Sequence, residues 1–172
     1  MKKLTVKELV LMAFYVALFM VLDYVGNVFN IFQMPQGGSL GISSIALLMA
    51  SYHLGWKKGL FISVLTVFLQ FVTGPMYTPD ILGFCLDYLF AYGIYGLAAA
   101  FPNFKYFFTG VFVTNAIRLA CHTISGVVIW QTPWGASFAY NAPYMIATMI
   151  FGLIVIPVLY KMLEPVIKKS RI

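Results

Sequence analysis

A few polar and ionisable side chains stand inside long apolar stretches of this sequence, and their types suit ligand binding. Asp87, Arg118 and His122 are surrounded by apolar neighbours, as are the amides Asn115 and Asn141. Polar groups at the depth of a lipid bilayer are costly and usually face the protein interior or a water-filled cavity. These five residues are therefore the first candidates for a functional site.

The spacing of three of these residues, together with Ser125, predicts that all four lie on one stripe of a helix. Asn115, Arg118, His122 and Ser125 follow one another at intervals of three, four and three residues, the period of one helix face. That stripe should face other helices. For Arg118, a structural role, bonded within the bundle to Asp87 or to helix carbonyls, fits the sequence as well as a role in the ligand site does, since intramembrane charges commonly pair. Taken alone, His122 is more typical of a packed, hydrogen-bonded histidine than of a ligand contact.

Aromatic residues surround this polar layer and would suit a flat cationic ligand. Asp87 and His122 lie roughly 12 and 10 Å from the nearer ends of their predicted helices, at a rise of about 1.5 Å per residue. Aromatic rings can stack on a heterocycle and attract its positive charge, although an interfacial belt is the simpler interpretation of the aromatics alone. The shared depth favours a site. Its candidate aromatic residues are Tyr88, Trp130, Trp134, Tyr140 and Tyr144.

The elements that must position these residues are membrane helices. Of 172 residues, 62% are hydrophobic and 9% charged, against roughly 25% charged in soluble domains. Six apolar stretches approach the roughly 20 residues that cross a bilayer core of about 30 Å. The sequence thus predicts an all-α integral membrane protein with one six-helix domain over residues 1–172. The predicted spans are 6–32, 39–54, 56–72, 80–101, 104–129 and 138–163.

The positive charges predict how the helices are oriented. The net charge is +6, and Lys and Arg outside the span interiors occur near both termini, between spans two and three, and between spans four and five. The other three connections contain none. This positive-inside pattern places both termini in the cytoplasm and indicates a bilayer, not nucleic acid, as the surface for the basic residues. The first apolar stretch exceeds a signal-peptide core and lacks an A-x-A-like site, so we expect it to be retained.

Sequence motifs for several other chemistries are missing. There is no G-x-x-x-x-G-K-[ST] loop for nucleotide phosphates, no H-E-x-x-H motif, and no His, Cys and carboxylate cluster at metal-ligand spacing. We expect neither a cofactor nor a metal site, and any ATP hydrolysis must come from another subunit. Ala13 and Ala17 form a small-xxx-small pair, which lets a second helix approach closely.

Several segments along nearly the whole chain carry a resemblance to a known family. They are Ala13-Phe14-Tyr15-Val16-Ala17, Pro35-Gln36-Gly37-Gly38-Ser39, Leu86-Asp87-Tyr88, Arg118-Leu119-Ala120-Cys121-His122-Thr123-Ile124-Ser125-Gly126 followed by Trp130, and Tyr140-Asn141. Together they resemble the substrate-binding S components of energy-coupling factor (ECF) vitamin transporters, and within them the thiamine-specific group.

The resemblance implies a non-enzymatic, high-affinity subunit of a prokaryotic plasma-membrane importer. Such a subunit binds thiamine or a related vitamin in an outward-facing pocket under its first outer loop, here containing Gln36. The pair Ala13 and Ala17 would face a transmembrane coupling subunit that is joined to two cytoplasmic ATPases. The whole S component would topple in the membrane to deliver its ligand. The implied ligand contacts are Asp87, His122, Trp130, Tyr140 and Asn141.

Two departures from the thiamine-specific pattern leave alternatives open. That group usually has glutamate where this chain has Asp87, and an aromatic residue near Met34. Aspartate keeps the charge but is one methylene shorter, so a precursor such as hydroxymethylpyrimidine, or another vitamin, remains an alternative ligand. A small intramembrane lipid-modifying enzyme is an alternative class, although Asp87 has no second carboxylate for acid–base pairing. Aromatic crowding disfavours a channel.

Overall fold

The computed structural model describes residues 4–29, 32–73 and 76–170, and most of them are helical. A short antiparallel hairpin, β1 (Asn103–Phe104) and β2 (Phe107–Phe108), pairs Asn103 with Phe108 and Phe104 with Phe107. The helices confirm the predicted all-α class. They are α1 (Val6–Val28), α2 (Ser44–Leu54), α3 (Trp56–Thr73), α4 (Ile81–Ala100), α5 (Thr109–Val128) and α6 (Trp134–Ser170).

Within the described ranges, four helices are long and apolar enough to cross a membrane by length and composition: α1, α4, α5 and α6. The helix α2 differs, because its 11 residues rise only about 16 Å. Residues 44–53 of α2 are all buried, so it forms the centre of the bundle. At this position the backbone of the non-helical segment before α2 can form its hydrogen bonds with protein groups, which lipid could not supply. For example, Gly41 N donates to Thr148 Oγ1 at 2.9 Å.

The helix α4 is irregular where the candidate site begins. Asp80 caps its start, with Oδ1 accepting from Gly83 N at 2.6 Å. A π-helical segment, Cys85–Phe90, follows the first turn and contains Asp87 and Tyr88. Such π segments are rare and frequently mark functional sites. The last part of α4, Ile94–Ala100, is a 3₁₀-helix.

Close helix packing holds the half of the bundle opposite the site. A Cβ atom on Gly96 would lie 2.4 Å from the backbone N and Cα of Leu60, so α3 and α4 touch here through their backbones. Ser51 Oγ from α2 donates to Gly96 O at 2.6 Å and accepts from Ala99 N at 3.0 Å. These contacts tie α2, α3 and α4 together.

The two ends of the bundle differ in charge. We call the end with Lys58, Lys105 and Lys161 the basic end, where Lys58 pairs with Glu8. The opposite end contains the connections 32–43, 76–80 and 129–133, which lack Lys and Arg, and we call it the loop end. The orientation of these ends relative to a membrane stays a prediction.

Five predicted helix boundaries were wrong by four or more residues, among them the start of the second helix, which is Ser44 and not residue 39. The fifth helix begins at Thr109, not at residue 104, because Lys105 adopts a positive φ of 54° and reverses the chain in the β1–β2 hairpin. The sixth helix begins at Trp134 and runs to Ser170 with three internal prolines, so Trp134 is helical and not a loop residue. The first helix ends at Val28, before the predicted residue 32.

Candidate ligand-binding site

A cavity of about 540 Å³ lies at the loop end, among α4, α5, α6 and the connection from α1 to α2. We call it the first cavity. Its volume is within the range of roughly 300–1,000 Å³ that is usual for small-molecule sites. Eight of the nine predicted ligand residues line it: Gln36, Asp87, Tyr88, His122, Trp130, Tyr140, Asn141 and Tyr144.

A relay of hydrogen bonds crosses the wall of the first cavity. Asp87 Oδ1 lies 2.8 Å from His122 Nδ1, and Arg118 Nε donates to His122 Nε2 at 3.1 Å. Ser125 Oγ donates to the other oxygen of Asp87. The Asp87 and His122 side chains are 16% and 12% exposed. The sequence left open whether Arg118 pairs with Asp87, and in the structure His122 lies between them.

The geometry of the relay determines the tautomer of His122. A guanidinium nitrogen can only donate, so His122 Nε2 must accept and carries no proton. The proton of a neutral His122 is therefore on Nδ1 and is donated to Asp87. Both ring nitrogens are used within the protein. The imidazole thus orients Asp87 and links it by hydrogen bonds to the positively charged Arg118. The face of the imidazole ring remains available for packing against a ligand.

Arg118 is itself buried and held from several sides. Its side chain is 4% exposed, and Nη1 donates to Tyr95 Oη at 3.2 Å. Tyr95 Oη in turn donates to Asn115 Oδ1 at 2.7 Å. The guanidinium carbon lies 4.1 Å from the Tyr92 ring centroid, close enough for a cation–π interaction. The polar stripe of α5 faces the bundle, as its spacing predicts.

A column of stacked rings follows α4 beside this relay. The Phe84 and Tyr88 centroids are 6.2 Å apart with planes at 16°, and those of Tyr88 and Tyr92 are 6.4 Å apart at 12°. Spacings of four residues place these rings on one helix face. The column ends on the Arg118 guanidinium and forms one wall of the first cavity. Tyr92 was not predicted, although its spacing from Tyr88 is a usable signal.

The start of α6 supplies a second polar group of the cavity wall. Asn141 Nδ2 donates to Ser137 O at 2.9 Å, and its Oδ1 accepts from the Tyr144 hydroxyl. The Tyr140 and Tyr144 rings meet edge to face with centroids 6.3 Å apart. Hydrogen bonds within α6 therefore fix the rotamers of Asn141 and Tyr144 and keep the cavity open in one shape.

The connection between α1 and α2 is docked directly on this wall. Gln36 N donates to Tyr140 Oη at 2.9 Å. A Cβ atom on Gly38 would lie 2.5 Å from Tyr144 Cε1, and one on Gly37 would lie 2.4 Å from Tyr77 Cδ2. Gly37 also has a φ of +92°, which strains residues that have a Cβ. Because these two glycines have no side chain, the backbone of the connection can lie directly against the Tyr77 and Tyr144 rings and cover the cavity.

The two tryptophans that were predicted as ligand residues occupy different places. Trp130 lines the first cavity and is 52% exposed. Thr132 N donates back to Gly126 O at 3.0 Å, which holds the chain after Trp130 against the end of α5. Trp134 is 61% exposed and lies outside the described lining of the cavity.

Comparison with known proteins identifies the family of this chain. A profile of the family described as thiamine transporter protein (Thia_YuaJ) matches residues 9–168. The chain belongs to this thiamine transporter family. It is also 31% identical, over 185 aligned positions covering 95% of both chains, to the thiamine transporter ThiT of Bacillus subtilis (strain 168). No solved structure matched the chain.

Membership of the thiamine transporter family makes this chain a transmembrane transport protein for vitamin uptake and not an enzyme. Asp87, the first departure from the thiamine-specific pattern, contacts both His122 and Ser125 with its shorter side chain. Met34 lies in the tight turn before Gly38, with N donating to Gly38 O at 2.6 Å, and outside the described lining of the cavity.

The predicted partner contacts lie away from the cavity. Ala13 and Ala17 are on an exposed face of α1, whereas Met12, Tyr15 and Phe19 form its buried face. No group of three His, Cys, Asp or Glu side chains that could hold a metal ion occurs within 4–29, 32–73 and 76–170.

Proposed function

We propose that this member of the thiamine transporter family is the vitamin-capturing S component of an ECF-type importer and that the first cavity binds thiamine. The observation that carries the proposal is the Asp87–His122–Arg118 relay in the wall of an aromatic cavity. It offers a fixed carboxylate beside flat rings, which is the combination that a cationic heterocycle requires.

In this proposal Asp87 meets the ligand directly and His122 acts mainly through Asp87. Each Asp87 oxygen accepts one protein hydrogen bond and retains lone-pair capacity for a ligand donor. The carboxylate would accept from the vitamin's amino group or offset its thiazolium charge. His122 contributes its ring face, since both of its nitrogens are bonded to protein groups.

The aromatic residues would enclose the ligand. Trp130, Tyr140 and Tyr144 stand on the α5 and α6 side of the first cavity and Tyr88 on the α4 side, so a flat heterocycle would stack between them. Asn141 lies beneath Tyr140 and is oriented by Tyr144. Gln36 would close the cavity from above through its bond to Tyr140. We assign no stacking role to Trp134.

The transport step would use the outer faces of the bundle. We infer that all six helices together span the plasma membrane, with the loop end outside and both termini in the cytoplasm, as the positive charges predict. The exposed Ala13 and Ala17 face of α1 would pack against the transmembrane coupling subunit. Two partner ATPases would supply the energy for release inside the cell.

Equilibrium binding to the purified, detergent-solubilised protein tests the proposal. Thiamine should quench tryptophan fluorescence saturably at nanomolar to low micromolar concentration, whereas riboflavin and biotin should not. Trp130→Phe should remove most of the quenching. Trp134→Phe is the matched control, since this exposed ring lies four residues away and outside the cavity lining, and it should preserve both amplitude and affinity.

The same titration distinguishes thiamine from hydroxymethylpyrimidine, the alternative ligand. If hydroxymethylpyrimidine saturates the protein more tightly than thiamine, the transporter stands and the vitamin is replaced by its precursor. The protein must be shown to be folded by a cooperative unfolding transition. If none of the four compounds then changes its fluorescence, the binding function that we propose is contradicted.

A further inference from the structure

The hairpin between α4 and α5 presents aromatic rings at the surface of the basic end. Phe104 and Tyr106 are 65% and 73% exposed. At the base of the hairpin, Phe108 is buried and meets Tyr52 and Tyr160 edge to face, with ring centroids 4.9 and 5.3 Å away. The buried Phe108 ring attaches the hairpin to the bundle, so the exposed rings are held at a fixed place on the surface.

The turn of this hairpin has an unusual residue at its first central position. Phe104 pairs with Phe107, so Lys105 and Tyr106 form the two-residue turn. Lys105 has a φ of 54° and Tyr106 has no positive φ, the pattern of a type II′ turn, whose first central residue is normally glycine. Backbone strain of this kind commonly marks a functional position. A lysine in place of the usual glycine indicates that its charge has a role there.

A second positive charge lies beside the same turn. Lys161 of α6 has its Nζ 5.9 Å from the centroid of the Tyr106 ring, within the range of a cation–π interaction. Tyr106 follows Lys105 in the turn, so two lysines lie near one exposed ring. We call Lys105, Tyr106 and Lys161 the hairpin patch.

No ion pair neutralises the hairpin patch within the part of the chain that the structure describes. The sequence contains no Asp or Glu between Asp87 and Glu164. Glu164 is itself bonded to Lys168 at 2.8 Å. The other acidic residue of the basic end, Glu8, is paired with Lys58. The patch therefore keeps a net positive charge that an external anion could offset.

The surroundings of the hairpin patch have the composition of a membrane interface. The Phe107 and Phe112 rings, with centroids 6.2 Å apart, are exposed beside it. Aromatic rings with lysines at the ends of membrane helices are typical of the interface with lipid headgroups. The exposed Trp130 and Trp134 at the loop end have no such lysines, because the connections there lack Lys and Arg. The charge of the patch thus complements an anionic lipid surface.

We propose that the hairpin patch binds the headgroup of an anionic phospholipid. Lys105 and Lys161 bind its phosphate, the Tyr106 hydroxyl donates to it, and the exposed phenylalanines contact its acyl chains. The hairpin packs on α5 and α6, whereas α1 packs mainly on α2 and α3. A lipid at the patch would therefore leave the α1 face free for the coupling subunit. The proposal does not depend on the ligand of the first cavity.

Quenching by brominated lipids in reconstituted bilayers tests the lipid site. Tyr106→Trp, in a protein whose three native tryptophans are replaced by phenylalanine, puts a single fluorophore in the hairpin patch and keeps a ring for Lys161. Brominated phosphatidylglycerol should bind there about tenfold more strongly than brominated phosphatidylcholine with the same acyl chains, because each lysine near an anionic headgroup adds a factor of several. Equal quenching by the two lipids would overturn the proposal.

Two double variants with the same loss of charge show whether the patch lysines are responsible. Lys105→Gln/Lys161→Gln should bring the preference close to one. Lys58→Gln/Lys168→Gln is the matched control, since these lysines are already paired with glutamates, and it should keep most of the preference. If Lys105→Gln/Lys161→Gln keeps the preference instead, these lysines serve another partner, such as a protein, and the lipid site is overturned.

A second measurement uses the protein with its native tryptophans in detergent. Phosphatidylglycerol should raise the thermal unfolding midpoint above its value in equimolar phosphatidylcholine, and Lys105→Gln/Lys161→Gln should abolish that difference. Glycerol 3-phosphate has the phosphate without acyl chains and should have no effect. An equal effect of glycerol 3-phosphate would overturn the assignment to a lipid. Both measurements omit thiamine, so their failure would leave the proposed function untouched.

Discussion

The loop end and the basic end of this bundle are built in opposite ways. At the loop end, charged groups are buried within the protein, as in the Asp87–His122–Arg118 relay, and glycines bring a connecting loop onto aromatic rings. At the basic end, charged pairs such as Glu8–Lys58 lie at the surface. The glycines there, Gly59 and Gly96, bring helix backbones together.

This difference separates binding from stability within one small chain. Buried ionic groups are costly to desolvate and add little net stability unless each is paired, so their presence at the loop end points to ligand recognition. Backbone contact at the basic end provides a rigid base for α2, α3 and α4. Substitutions at the loop end should therefore change binding, and should also cost stability where a buried charge loses its partner. Substitutions at the basic end should change the amount of folded protein but not the affinity of that protein for its ligand.

The largest effect should come from breaking the buried relay. Arg118→Met leaves the Asp87 charge without compensation and takes the hydrogen-bond donor from His122. We expect the unfolding free energy in detergent to fall by about 4 kcal/mol. Chemical unfolding followed by circular dichroism measures it.

A double-mutant cycle shows whether that loss arises from the relay. Asp87→Asn should cost less stability in the Arg118→Met background than in the original protein, with a coupling energy of about 1–3 kcal/mol. Strictly additive losses would mean that His122 does not link the two charges.

The next effect should come from the helix contact at the basic end. Gly96→Ala places a methyl group 2.4 Å from the Leu60 backbone, and backbone cannot move aside as a flexible side chain can. We expect a destabilisation of about 3 kcal/mol from overpacking. The remaining folded fraction should bind thiamine with unchanged affinity, as a titration corrected for active protein would show.

Gly135→Ala is the matched control for Gly96→Ala. A Cβ atom at Gly135 meets nothing within 4 Å, and the residue lies in the first turn of α6. Alanine there should leave stability equal or slightly higher, because it is the better helix former. Equal destabilisation of both variants would contradict the role given to the contact of α3 with α4.

A smaller effect is expected from the loop that covers the first cavity. Gly38→Ala places a methyl group 2.5 Å from the Tyr144 ring, which pushes the loop away from α6. We expect the thiamine dissociation constant to rise about tenfold, equivalent to about 1.4 kcal/mol, mainly through faster dissociation. Stopped-flow displacement measures this rate. An unchanged rate would show that the loop does not close over the ligand.

The smallest effect should come from the surface pair at the basic end. Lys58→Gln removes the ion pair between Lys58 and Glu8, whose side chains are 29% and 26% exposed. Exposed pairs contribute little because water and salt screen them. The thermal midpoint should shift far less than in Gly96→Ala, and thiamine affinity should stay the same. A large loss of affinity would contradict the separation of the two ends.

Much of the loop-end chemistry could be predicted from sequence because it depends on helical spacing. The interval of four residues from Arg118 to His122 places both on one face, and equal depth brings Asp87 opposite them. The hydrogen bond between Asp87 and His122 was not predictable, since Asp87 lies in the π-helical segment Cys85–Phe90. Hydropathy and periodicity carry no signal for such a segment.

Other features required the tertiary structure. The hairpin before α5 contains Phe104, Phe107 and Phe108, whose hydropathy extends the apolar stretch of the span, so the sequence predicted helix from residue 104. Trp134 was predicted beside Trp130 because both are aromatic and close in the chain, but the helix begins at Trp134 and the ring lies outside the described lining of the first cavity.

The most direct test of the central claim is calorimetric titration of thiamine into Asp87→Asn. This change removes the carboxylate charge at nearly constant volume and leaves the Arg118 charge facing the cationic ligand. We predict that affinity falls by at least about 100-fold, in line with truncation of one partner in a buried charged contact. Unchanged affinity in folded protein would show that the Asp87–His122–Arg118 relay does not recognise thiamine, and would contradict the account.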